Sequence, residues 1–296
     1  MKILSLNDWK KRAVIHKKLV GPMADSFLNR RKVGHKHPVY DFLFTYYDFS
    51  PTKLKFWIPS FEEALIFEEE DLQYFGEYWF ERDSNILRLN PQLFQGRMSS
   101  LLIFIEELCN AILNRAPRFG CFGLHEWAMV YRLSRDELRH AEYPLRLPPD
   151  ELARFVESQN LCCTHYDAYR FFTPQARPLN MFKPVLENRL LNEQSGCLHV
   201  NMDIYKWATK LWPWIGSDFI AKAFLIALEG RELDMRASPY DLEKHGYSAI
   251  RIETEYGRKE YQQLQQQYAK KASSLRQELA DICRRLRAWR DKLNLS

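Results

Sequence analysis

Glycine is scarce in this chain, with only 11 residues among 296. A glycine-rich loop of the P-loop or dinucleotide-binding type is therefore not expected. Long apolar runs are also missing, because residues 101–105 and 219–228 are too short or too interrupted to span a bilayer. The segment with Asp8, Lys10 and Arg12 stands where a signal peptide needs its apolar stretch. We therefore expect a cytoplasmic protein with no membrane partner.

No CxxC pair occurs among the cysteines, which excludes the usual ligand spacing of a structural zinc site. Their wide spacing favours reduced thiols over a disulfide framework. The six cysteines are Cys109, Cys121, Cys162, Cys163, Cys197 and Cys283.

The composition is that of a globular protein, with 46% hydrophobic and 27% charged residues. A chain of this length can bury a sizeable core, and no internal repeat indicates a solenoid. We predict a mainly α fold, a single globular helical domain over residues 1–296. Its parts would be a basic N-terminal arm (1–36), a catalytic core (37–250) and a long C-terminal helix (254–294).

Hydrophobic periodicity predicts helices over residues 98–114, 124–132, 164–173, 199–211 and 218–232. A few short strands, or a small second subdomain, suit residues 52–95. The clearest pattern is a heptad seam, which predicts one long helix that packs on its own domain or pairs two chains as a homodimer. The seam comprises Tyr261, Leu264, Tyr268, Ala272, Leu275, Leu279, Ile282, Leu286, Trp289 and Leu293.

The net charge of +5 is a mild bias that permits a nucleic-acid partner without requiring one. Basic residues concentrate in the N-terminal arm and at the end of the last helix. Two such segments could follow a phosphate backbone, so DNA is a candidate partner.

Histidine, carboxylate and aromatic residues coincide in four segments, 120–131, 163–174, 196–206 and 231–241. Polar side chains are normally excluded from apolar surroundings unless they are paired, so this coincidence predicts a catalytic site. The candidate catalytic residues are His125, Glu126, His165, Asp167, His199, Asp203 and Asp234. The candidate substrate-binding residues are Trp127, Tyr131, Arg170, Arg177, Lys206 and Arg236.

Two interpretations of these residues do not depend on any resemblance. The first is a metal-dependent enzyme that acts on a nucleotide or small molecule, because imidazoles and carboxylates bind zinc, iron or manganese. The cofactor would then be a divalent metal, and otherwise none. The second is a non-catalytic module that binds nucleic acid or protein. The candidate metal ligands are His125, His165, His199 and Asp203.

Five stretches resemble a bacterial family that carries the name 3-methyladenine DNA glycosylase. They are HPVYDFLFTYYDFSP (37–51), GCFGLHEWAMVYR (120–132), CTHYDAYRFFTPQARPLN (163–180), GCLHVNMDIYKWATKL (196–211) and RELDMRASPYDL (231–242). The resemblance covers most of the chain from residue 37 to the last helix, and no glycine-rich hairpin of the helix-hairpin-helix class accompanies it.

The resemblance implies a base-directed hydrolase in DNA repair. Such an enzyme flips the nucleotide into an aromatic pocket and uses a carboxylate to assist cleavage of the N-glycosidic bond. Asp167, Asp203 or Asp234 would be the carboxylate, and Trp127 and Tyr131 would stack on the base. Cations would hold the flanking phosphates, namely Arg170, Arg177, Lys206 and Arg236.

Overall fold

Helices dominate the fold, as predicted, and a single small sheet accompanies them in the described residues. The computed structural model describes residues 1–75, 78–94 and 96–292. These fall into two compact units. The first is drawn from Met1–Cys109, Ile204–Ala227 and Gln277–Ser296, and the second consists of Asn110–Asp203 and Leu228–Arg276. A single folding domain over residues 1–296 stays a prediction.

The first unit contains the sheet and four helices. The helices are α1 (Leu6–Lys32), α2 (Asp41–Thr45), α3 (Pro51–Lys55) and α4 (Leu72–Phe75). The strands are β1 (Lys2–Leu4), β2 (Glu63–Ile66), β3 (Phe80–Asp83) and β4 (Ile86–Leu89). Their order is β1-β2-β4-β3, with β1 parallel to β2 and the other pairs antiparallel. The strands expected within residues 52–95 are thus confirmed, and β1 lies outside that range.

A stacked pair of indoles forms part of the core of the first unit. The rings of Trp9 and Trp57 lie 6.3 Å apart between centroids and are nearly parallel. Each indole N–H has a partner: Trp9 donates to the Ile66 carbonyl, and Trp57 donates to Asp218. Because the indole N–H groups are satisfied, both rings can be buried without a polar penalty.

Four short helices lie wholly in the second unit, and four longer helices contribute residues to both units. The short helices are α6 (Leu124–Ala128), α7 (Pro149–Glu157), α8 (Tyr166–Tyr169) and α9 (Arg189–Asn192). The longer helices are α5 (Gly96–Leu113), α10 (Leu198–Lys210), α11 (Ser217–Ala237) and α12 (Glu255–Lys292). Within the described part of the chain, none of the helices has the length and apolar character needed to cross a membrane.

The long C-terminal helix is confirmed as α12. Most of its heptad seam is buried within the single chain, including Tyr261, Tyr268, Leu279 and Leu286. The seam is therefore explained without a second chain, and the homodimer stays a prediction. The last positions of the predicted helix, 293–294 with seam residue Leu293, lie outside the described residues.

Several predicted boundaries need correction. The helix predicted over 164–173 is only the short α8, whose start is fixed by the His165 side chain, which caps it by accepting the Ala168 N–H. The helix predicted over 124–132 ends at Ala128, before Arg132 adopts a positive φ of 55°. Helix α7 was not predicted, although Leu152 and Val156 recur at helical spacing and Pro149 begins the helix.

Helix α11 requires glycine where α12 passes close to it. A Cβ on Gly230 would overlap the Tyr268 hydroxyl and lie 2.7 Å from Cγ of Met202. Both neighbours are fully buried and have little room to move.

We predict that Gly230→Ala lowers the free energy of unfolding by about 1–3 kcal/mol, because overpacking outweighs the better helix propensity of alanine. Urea unfolding followed by circular dichroism measures the change. Gly120→Ala is the matched control, because its Cβ would meet nothing within 4 Å. Equal stability of the two variants would contradict the close approach of Tyr268 and Met202 to Gly230.

Candidate functional site

The Asp234 carboxylate on α11 is the centre of a first buried cluster, in the second unit. It accepts a hydrogen bond from Arg231 at 2.9 Å, one turn earlier on the same helix. Nε2 of His125, on α6, lies 2.7 Å from its Oδ1, and Nε2 of His199, on α10, lies 3.8 Å from its Oδ2. Arg231 also binds Glu126 at 2.9 Å. Three separate segments therefore meet at one carboxylate.

The backbone before α6 brings His125 and Glu126 to this place. Gly123 begins the helix with a φ of 71°, a conformation that residues with a Cβ rarely adopt. A Cβ there would lie 3.4 Å from Cβ of Ala237 and from the Tyr261 hydroxyl, in van der Waals contact with both. The GCFGLHEW segment thus needs its second glycine to turn the chain into the helix that carries the site residues.

A second buried cluster lies beside the first. His165 Nε2 is 3.1 Å from Oδ2 of Asp203, on α10, and 4.0 Å from Oε1 of Glu193. Arg189, on α9, binds Asp167 and lies 3.5 Å from Glu193. The second cluster therefore holds its carboxylates against one buried guanidinium.

The histidine rings connect the two clusters. The centroids of His125 and His199 are 4.4 Å apart in an edge-to-face arrangement. His165 and His199 stack at 5.5 Å with an angle of 13° between their planes. His199 is thus the ring that the two clusters share.

Electrostatics in the first cluster favour an ionised Asp234. Burial opposes ionisation of this carboxyl, but the neighbouring His125, which also hydrogen-bonds to it, and Arg231 outweigh it and lower its pKa. Burial also disfavours the His125 cation, yet the Asp234 carboxylate prevails and raises the pKa of His125. Asp234 is therefore an anion inside the protein, and His125 is its nearest imidazole.

His199 behaves differently from its neighbours. Burial, and then the nearby His125, lower its pKa to about 3, so its imidazole is neutral. The ring is 6% exposed, and its Nδ1 has no hydrogen-bond partner among residues 1–75, 78–94 and 96–292. Its Nε2 lies too far from Asp234 for a hydrogen bond. A neutral imidazole without hydrogen bonds is costly inside a protein unless a ligand satisfies it.

His165, in contrast, has both nitrogens occupied. Its Nδ1 accepts the Ala168 N–H at 3.2 Å, so this nitrogen carries no proton. In the neutral ring the proton is then on Nε2, which donates to Asp203. Nε2 could bind a metal only if the hydrogen bond that caps α8 were lost.

Both clusters have the donor spacing of a metal site. In the first, ligand atoms of His125, Glu126, His199 and Asp234 lie within 4.8 Å of one another, and the same holds for His165, Asp167 and Asp203. Two donors about 2.1 Å from one ion are at most about 4.2 Å apart, so either group needs only a small contraction. The first cluster fits better, because it offers four donors against three and its His199 makes no hydrogen bond in the described chain, whereas both ring nitrogens of His165 are used.

A small pocket of about 20 Å³ adjoins the first cluster within the second unit. His125 forms part of its wall, together with four cysteines and Thr164. Burial raises the pKa of Cys162 to about 11 and that of Cys163 to about 12, so both thiols are uncharged at neutral pH. The cysteines in the wall are Cys121, Cys162, Cys163 and Cys197.

Comparisons with protein-family models, curated proteins and solved structures found no match. The functional inference therefore depends on the geometry of these side chains. The resemblance to the glycosylase family stays a prediction.

The predicted base-stacking residues are held in the core of the second unit. The Trp127 indole is fully buried and donates to the Ala237 carbonyl at 2.9 Å. Tyr131 is also buried, and its hydroxyl donates to Glu157 at 2.7 Å. Their role in substrate binding stays a prediction.

The predicted phosphate-binding cations lie at several places. Arg177 and Arg236 donate to the main-chain carbonyls of Arg170 and Ser248. Arg170 itself is 3.6 Å from Asp167. Lys206 belongs to the first unit, where its ammonium lies 5.0 Å from the Trp207 ring centroid. Phosphate binding by these four residues stays a prediction.

Three residues of the site were not among the predicted ones. Arg231 precedes Asp234 by three residues, so the RELD segment contained a signal for a helical ion pair. Arg189 and Glu193 follow a proline-rich stretch, where the sequence shows no pattern that indicates burial. The pocket cysteines also gave no signal, because their spacing fits no ligand motif.

We predict that Arg231→Met lowers the free energy of unfolding by about 3–5 kcal/mol, because it leaves two buried carboxylates without their guanidinium. Chemical unfolding of the purified variant gives the value. Lys271→Met is the control, because Lys271 forms an exposed pair with Glu229 that should contribute less than about 1 kcal/mol. If Arg231→Met lowers the free energy of unfolding no more than Lys271→Met does, Arg231 does not stabilise the Glu126 and Asp234 carboxylates.

Proposed function

We propose that this protein is a metal-dependent enzyme whose metal ligands are His125, His199 and Asp234. The observation that carries the proposal is the buried imidazole of His199, which has no hydrogen-bond partner in the described chain. A structural ion network satisfies its polar atoms with one another, whereas a metal ligand presents a lone pair to a cation that other donors share. His199 suits the second role, since its Nε2 lies 3.8 Å from the Asp234 carboxylate without a hydrogen bond to it.

The donor set supports a transition metal. Two imidazoles and one carboxylate suit iron, manganese or zinc, and they leave coordination positions open for a reactant. A divalent ion bound there would polarise that reactant or lower the pKa of a bound water. The protein's own residues would fix the ligands, because Arg231 holds Asp234 and Glu126 in place.

The second cluster has a positioning role in this proposal. His165 stacks on His199 and is itself held by Asp203 and by the cap of α8. Such outer contacts orient a ligating histidine without touching the ion.

We predict that the purified protein loaded anaerobically with Fe²⁺, Mn²⁺ or Zn²⁺ retains about one ion per chain after desalting. His199→Ala and Asp234→Asn should each lose most of this ion, because outright removal of a ligand costs more than the 10- to 100-fold typical of outer contacts. Elemental analysis by inductively coupled plasma mass spectrometry measures the content.

Two controls separate ligands from neighbours. His165→Gln should lose less of the ion than His199→Ala, because His165 is an outer contact and not a ligand in the proposal. His245→Ala, at an exposed position, should behave like the unaltered protein. Retention of the ion by folded His199→Ala, with the fold checked by circular dichroism, would exclude the proposed centre.

The base-directed hydrolase implied by the sequence resemblance is the second candidate. The observation in its favour is the ionised Asp234 beside His125, since such a carboxylate could stabilise a positively charged sugar. The pocket beside His125, about 20 Å³, is much smaller than a nucleobase, so this candidate requires the site to open.

We predict that metal-free protein releases no modified base from alkylated duplex DNA above the rate of a blank. Chromatography of the released bases is the measurement, and Asp234→Asn serves as the matched variant. Release that is abolished by Asp234→Asn and unaffected by a chelator would favour the hydrolase over the metal enzyme.

A further inference from the structure

An exposed aromatic ring contacts two arginines on the surface of the second unit. Phe171, in the turn after α8, is 37% exposed. The guanidinium carbon of Arg139 lies 5.2 Å from its ring centroid, and that of Arg170 lies 4.8 Å from it. The two guanidinium carbons are therefore at most about 10 Å apart, and cation–π contacts with one ring hold both side chains.

A third arginine lies next to this pair. Nη2 of Arg177 donates a hydrogen bond to the main-chain carbonyl of Arg170 at 3.1 Å. All three arginine side chains are at exposed positions, so a ligand can reach them from solvent. Residues that are distant in sequence thus bring three guanidiniums to one place on the surface.

The protein itself compensates these charges only in part. Among residues 1–75, 78–94 and 96–292, no carboxylate forms an ion pair with Arg139 or Arg177. Arg170 lies 3.6 Å from Asp167, but the same carboxylate also binds the buried Arg189. Cations held close together repel one another, and a bound anion would relieve that repulsion.

The donors indicate which anion suits this place. A guanidinium is a planar fork that pairs with the oxygens of phosphate or carboxylate. A phosphate monoester carries nearly two negative charges and has three free oxygens, one for each arginine. A diester or a carboxylate has one charge and two such oxygens. One phosphate spans roughly 8 Å between two guanidinium carbons, so the exposed side chains need only small rotations to share it.

We infer that Arg139, Arg170 and Arg177 bind the phosphate group of a monoester, and that Phe171 holds two of these arginines in position for it. The ligand class is therefore a small molecule with a terminal phosphate. The inference goes beyond the proposed function, because the arginines alone bind the anion and no metal ion takes part.

Phenyl phosphate is the probe, and isothermal titration calorimetry measures its affinity. The protein is first treated with a chelator and desalted, because a bound metal would itself take up phosphate. We predict that the unaltered protein binds phenyl phosphate and binds diethyl phosphate, a diester, about ten-fold more weakly. Arg139→Gln and Arg177→Gln should each weaken the binding of phenyl phosphate about ten-fold, because each removes a charge-assisted hydrogen bond. Phe171→Leu should weaken it about three-fold, because two guanidiniums lose their cation–π contact.

Arg82→Gln is the matched control, because Arg82 is an exposed arginine of the first unit and should leave the affinity unchanged. Absence of phenyl phosphate binding by the unaltered protein would overturn the inference. Affinities of Arg139→Gln and Arg177→Gln equal to that of the control would overturn it as well. Diethyl phosphate that binds as tightly as phenyl phosphate would overturn the assignment to a monoester. All of these measurements use metal-free protein, so their failure leaves the proposed metal centre standing.

Discussion

The buried carboxylate of Asp234 is the group on which the second unit depends. It is fully excluded from solvent, where an unpaired carboxylate costs several kcal/mol. Its neighbours come from α6, α10 and α11, namely His125, His199 and Arg231. These segments, distant in sequence, are therefore held together by one electrostatic requirement. The sharp turn at Gly123 is needed because α6 must reach that carboxylate.

Charge balance alone does not explain the whole cluster. Arg231 and a protonated His125 would neutralise Glu126 and Asp234 without any ion, and their distances suit that arrangement. His199 would then contribute nothing to charge neutralisation, yet it is buried and neutral beside the same carboxylate. The proposed metal ion would give this imidazole a partner and would give Asp234 a second counter-charge. Both interpretations require Asp234, but only the metal requires His199.

Periodic features of the fold could be predicted from the sequence, whereas short ones could not. Helix α12 shows its heptads along most of its length, but β1, with three residues, is too brief to display a period. The candidate catalytic residues lie together in the second unit, because polar side chains are buried only in pairs. The sequence did not indicate which histidine pairs with which carboxylate. His199 and Asp203 share a helix face, but tertiary contacts direct one to Asp234 and the other to His165.

Anomalous diffraction from crystals of the metal-loaded protein, recorded at the absorption edge of the ion, tests the central claim most directly. The account predicts one strong peak within about 2.2 Å of a ring nitrogen of His199 and a carboxylate oxygen of Asp234. His125 would complete the coordination, and His165 would remain outside it with its cap to α8 intact. A map with no anomalous peak there, and with an ordered water bonded to His199 instead, would contradict it.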